Sequence, residues 1–74
     1  MTALELLQDI VTKVQAESTK YQNGTITLTV CKENCVNIAN TINSSISGLS
    51  SEEQSSTILN DVNQVKDFII DNYS

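Results

Sequence analysis

The sequence contains no histidine, no proline and no tryptophan, and its four cationic side chains are all lysines: Lys13, Lys20, Lys32 and Lys66. Each absence removes a class of chemistry. Without histidine there is no Ser-His-Asp or Cys-His arrangement, because the general base of those constellations is missing. Without arginine there is no bidentate fork for guanine or phosphate. Four scattered lysines in a chain of net charge -5 do not make the cationic patch that a phosphate backbone requires, so direct nucleic-acid binding is not expected. Only two cysteines are present, Cys31 and Cys35. They are too few for a structural zinc site or a disulfide framework, and neither a metal nor a cofactor is expected.

Long apolar runs are absent as well; the longest is the triple Phe68-Ile69-Ile70. A membrane span needs about 20 apolar residues. A secretory signal needs an apolar stretch of about 7–15 residues after a basic start. The expectation is a cytoplasmic protein with reduced thiols and no membrane contact. At 74 residues the chain is expected to form a single small domain. A domain of that size buries only about 60% of the surface of its unfolded chain. Without disulfides or metal, self-association is the expected further source of stability.

What the chain does contain is helical periodicity without a proline to interrupt it. Thr2-Ala3-Leu4-Glu5 has the form of a capping box. Leu4, Leu7, Val11 and Val14 then recur at helical spacing, with Ile10 beside them and Leu6 off the stripe. The spacing predicts a helix over 1–22. Asn23-Gly24 follows as the strongest turn signal, with Gly24 suited to a left-handed position after a helix.

The next segment carries two patterns at once. Thr25-Ile26-Thr27-Leu28-Thr29-Val30 alternates like a half-buried strand. Leu28, Cys31, Cys35, Ile38 and Ile42 instead form a helical stripe. A lone strand leaves its backbone groups unpaired. The favoured reading is a helix over about 30–47, with 25–29 undecided and Gly48 as its C-cap. A third helix is predicted over 50–73. Ser50 and Ser51 each begin a capping box with Glu53 and Gln54, and Ile58, Val62, Val65 and Ile69 form the stripe, broadened by Leu59, Phe68 and Tyr73. The fold class expected is all-α: three amphipathic helices in an up-down-up bundle, because short turns make neighbours antiparallel. The core is assigned to Leu4, Leu7, Val11, Val14, Val62, Val65 and Ile69.

The residues that bear reactive groups support no catalytic constellation. Cys31 and Cys35 read first as two small buried apolar residues, and secondly as an intermolecular or redox-sensitive pair. Asp67 and Asp71, four apart, share a helix face and read as solvated charges. Asn34, Asn37, Asn40 and Asn43 drift around the polar side of the second helix. The closing helix, Val62-x-x-Val65-x-Asp67-Phe68-Ile69-Ile70, is similar in character to that of acyl carrier proteins. The Asp-Ser-Leu triplet that would carry phosphopantetheine in that family does not occur, so the likeness implies no prosthetic group.

The function expected is a non-enzymatic, acidic, homo-oligomeric protein-binding module. It would act as an accessory or inhibitor protein by stoichiometric occupancy of a partner, in the manner of the short acidic proteins of viruses and mobile elements. A small-ligand carrier with an intersubunit pocket and a structural subunit of a larger assembly are the alternatives. The candidate interface is Ile26, Leu28, Val30, Cys31 and Cys35, where strand and helix patterns conflict and such conflicts tend to mark functional sites.

Overall fold

The computed structural model describes residues 1–73 and contains four helices: α1 (Ala3–Gln22), α2 (Leu28–Ser47), the single-turn α3 (Ser51–Gln54) and α4 (Ile58–Tyr73). The three long helices pack against one another as an all-α up-down-up bundle of 41 × 19 × 16 Å. The long axis is close to the span of a 20-residue helix plus its turns. Among the described residues there is no strand.

Local chemistry sets each boundary. At the start of α1 the capping box closes, with the Glu5 amide donating to Thr2 Oγ1 at 3.1 Å and the Thr2 amide donating to Glu5 Oε1 at 2.9 Å. A third group joins it from a distant part of the chain. Glu53 of α3 accepts the Ala3 amide at 2.8 Å and so ties α3 to the first turn of α1. The end of α1 is a Schellman motif: the Thr25 amide donates to Lys20 O at 2.8 Å and the Gly24 amide to Tyr21 O at 3.0 Å. Gly24 sits at φ 76°, where a side chain would be strained.

The segment that alternates like a strand is a double cap. Thr25 completes the end of α1, Ile26 turns inward against the core, and Thr27 opens α2 by accepting the Val30 amide at 3.2 Å. Ile26 and Cys31 hold the positions of a hydrophobic staple around that cap. The alternation of threonine and aliphatic residues thus records two helix ends with one anchor between them, and α2 begins at Leu28. At its other end α2 stops at Gly48, and Gln54 Nε2 donates to the carbonyl of the buried Leu49 at 2.8 Å.

Two sequence expectations are corrected. The predicted helix over 50–73 is broken at Ser55-Ser56-Thr57. Here hydroxyls compete with the helical ladder: Ser55 Oγ donates back to Ser51 O at 3.2 Å and Ser56 Oγ accepts the Ile58 amide at 3.2 Å. The core of α1 is also rotated from its predicted stripe. Ala3, Leu6 and Ile10 are buried, whereas Leu4 and Val11 are 47% and 37% exposed. Leu7 and Val14 lie at the edge of the core and belong to both stripes. The apolar arc of α1 is wider than its buried face, and the hydrogen bond from the Ala3 amide to Glu53 helps turn the Ala3 side inward. On α4, Val62 and Ile69 are buried and Val65 is half-buried, as predicted. Leu59 joins the core, Tyr73 packs at its edge, and Phe68 faces out.

This register predicts a sharp contrast. Leu6→Ala should cost about 2–5 kcal/mol in denaturant unfolding, and Leu4→Ala less than about 1 kcal/mol. The reverse order would restore the stripe read from spacing.

Candidate functional site

The candidate interface is divided by the fold. Cys31 and Cys35 occupy the inward face of α2 and are buried, together with Ala39 and Ile42 one and two turns on. Ile26 is half-buried. Leu28 and Val30 reach the surface at 45% and 38% exposure. At about 100° per residue these two point roughly 160° apart around α2, so they do not form one patch.

The thiols are structural in character. Cys31 Sγ lies 3.7 Å from the Glu17 carbonyl of α1 and donates to it. Burial, the neighbouring Cys31 thiol and the charge of Glu17 push the Cys35 thiol up to about 11. At neutral pH Cys35 is therefore a protonated, small, apolar side chain with little nucleophilic character. Both cysteines are free.

Around them α1 and α2 are joined by a polar bridge. The Asn34 amide donates to Glu17 Oε2 at 3.0 Å, and Lys20 Nζ donates to Glu17 Oε1 at 3.2 Å. The Asn34 hydrogen bond and, after it, Lys20 hold the Glu17 carboxyl below its ordinary range. Glu5 is lowered likewise, first by the Thr2 backbone amide and then by the Thr2 hydroxyl of the capping box.

Three surface features remain. An open groove of about 550 Å³ runs along the outer side of α2, lined by Thr29, Lys32, Glu33, Val36 and Asn37 and closed at one end by Tyr73. Its charged groups are one of each sign. On α1, Leu4 and Val11 form an apolar flank, one heptad apart. On α4, Phe68 stands 60% exposed, the most exposed aromatic ring in the bundle.

The charges are unevenly placed around these features. Among the described residues the ion pairs Lys13–Asp9 (2.9 Å) and Lys20–Glu17 (3.2 Å) both lie on α1. Lys66 of α4 turns toward α2 and donates to Asn43 Oδ1 at 3.4 Å. The outward side of α4 therefore carries Asp61, Asp67 and Asp71 with no cation among them. Among the described residues no group of three or more His, Cys, Asp or Glu side chains is placed to hold a metal ion, and no helix is long and apolar enough to cross a membrane.

The α4 face was only partly legible in the sequence. Asp67 and Asp71 are recognisable as a shared face, but Phe68 reads from spacing only as broadening the apolar stripe, since a single aromatic at the edge of a stripe does not show whether it turns in or out. No protein-family model, curated protein or solved structure matches the chain.

The carboxylates give a pH dependence whose sign follows from their environment. Glu17 is held below its unfolded value of 4.5, so its bridge stabilises the fold above that pH and is lost as pH falls below it. Unfolding measured at pH 7 and pH 3 should show wild-type stability falling with acid. Glu17→Gln, which keeps shape but cannot titrate, should show a shallower fall. An unchanged acid slope in that variant would remove Glu17 from the pH response.

Proposed function

We propose that the protein is a non-enzymatic, acidic binding module that acts by stoichiometric occupancy of a partner protein. The observation that carries this reading is the combination of a net charge of -5 with large apolar side chains presented on the outer faces of the long helices: Leu4, Leu28 and above all Phe68. Exposed apolar groups set in a charged surface are the usual composition of a protein-binding patch. Several of the reactive side chains have structural roles. Cys35 is buried and protonated, Glu5 and Glu53 close the first turn of α1, and Glu17 bridges α1 to α2.

Self-association belongs to the same reading. Leu4 and Val11 offer a flank for it, and a domain of this size gains from further apolar burial. A second reading, a small-ligand carrier, is favoured by the groove between Thr29 and Tyr73. That groove lies within one chain, so the carrier reading does not need the intersubunit pocket expected from sequence.

Native mass spectrometry of the protein recovered from its own host separates the two. The binding-module reading predicts a complex with a second protein in fixed ratio, dissociating to an unmodified chain. A small mass retained on each chain, with no protein partner, would favour the carrier. A monomer bearing a covalent adduct on serine would contradict both.

A further inference from the structure

The inward direction of α4 is defined by Leu59, Val62 and Ile69, all buried. At about 100° per residue Phe68 lies roughly 130° away from it, and Asp61, Gln64, Asp67 and Asp71 fall on the same outward arc. Gln64 and Asp71 are the helical neighbours of Phe68 at four residues before and three after. The ring thus stands within a rim that is acidic and amide-bearing. It contributes little to the fold, being 60% exposed.

Asp61 lies in the first turn, where the helix dipole favours it, but the other two aspartates of the rim are costly to the helix that carries them. Asp67 and Asp71 repel at i,i+4. Asp71 also sits in the last turn, where the negative end of the helix dipole disfavours it, and that turn contains no basic residue. A local arrangement that opposes the stability of its own element is the kind retained for use.

We infer that the outward face of α4 docks a partner protein whose surface offers an apolar pocket, filled by Phe68, and a lysine- or arginine-bearing edge that meets Asp61, Asp67 and Asp71. This rests on the binding-module reading and adds to it the surface and the chemistry of the partner. Charge selects the occupant. A second copy docking symmetrically through this face would set aspartates against aspartates. A phosphate-bearing surface would be repelled. A basic protein surface is drawn in by the field and held by the buried ring, the division of labour common at interfaces, where charges set encounter and an aromatic anchor sets residence. The other exposed features lack this pairing: Leu4, Val11 and Leu28 have no single-sign rim, and the α2 groove carries Lys32 beside Glu33.

The test uses the full chain, labelled with nitrogen-15, and two synthetic helical peptides of about 18 residues, apolar on one face. One carries lysine along the borders of that face, and the control carries glutamate there. Titration followed by NMR and fluorescence anisotropy should show binding of the lysine peptide alone, with chemical-shift changes concentrated between Asp61 and Asn72. Phe68→Ala should weaken that binding about 30-fold. The Asp67→Asn, Asp71→Asn double variant should weaken it and flatten its salt dependence, and Leu28→Ala should leave it unchanged. Circular dichroism on each variant verifies the fold. Shift changes centred on the α2 groove or on Leu4 and Val11, equal binding of both peptides, no binding of the lysine peptide, or an unaltered affinity in Phe68→Ala would each overturn the assignment of this face. Failure of the broader reading is seen separately, as the absence of a protein partner in the host complex.

Discussion

The packing of one narrow stripe on α2 against both neighbouring helices is the constraint on which the rest of the bundle depends. Cys31, Cys35, Ala39 and Ile42 face inward at spacings of four, four and three, and all are buried. Three of these four side chains are small, which lets α1 and α4 approach the middle helix closely and leaves larger residues, Leu6, Ile10, Leu59, Val62 and Ile69, to fill the space on either side. The same seam explains the character of the thiols. They are where the fold needs compact apolar groups, and burial keeps the Cys35 proton in place. The polar bridge from Asn34 to Glu17 ties α1 to α2 beside the seam.

Much of this was legible from sequence, and the exceptions are instructive. Three amphipathic stripes, a capping box at Thr2 and a glycine turn at Gly24 are enough to specify an up-down-up bundle, because helical periodicity and cap chemistry are local properties. What local patterns could not decide was rotation. Leu4, Leu6, Leu7, Ile10, Val11 and Val14 cover so wide an arc that spacing alone selects no unique inward face. The choice is made by tertiary partners, including Glu53, fifty residues away from Ala3. The direction of Phe68 was open for the same reason. The threonine alternation at 25–30 left that segment undecided for a different reason: it obeys a period of two because two caps happen to be separated by one core residue, Ile26. The break at Ser55-Ser56-Thr57 was legible in composition, as a run of residues that favour capping over helix interiors, but the continuous stripe beyond it concealed the interruption.

The two sides of α4 differ in what they contribute to the fold. Its inner side supplies the core. Its outer side holds the exposed Phe68 and three aspartates; Asp61 lies in the first turn, where the helix dipole favours it, whereas Asp67 and Asp71 oppose the helix that bears them. Because α1, α2 and the inner side of α4 already provide the packing, the outer side is free to carry an arrangement suited to another molecule. On the proposed reading, the bundle is stabilised by one set of residues and meets its partner through another, so the two properties are separable by mutation.

That separability is open to a direct measurement: the unfolding free energy, by denaturant titration, of a triple variant carrying Phe68→Ser, Asp67→Asn and Asp71→Asn. If the outer side of α4 is reserved for binding, the variant will be about as stable as the wild type, because the small packing loss at Phe68, already 60% exposed, is offset by removal of like-charge repulsion and an unfavourable dipole contact. A loss of more than about 1 kcal/mol would contradict the account and make the same residues part of what holds the bundle together.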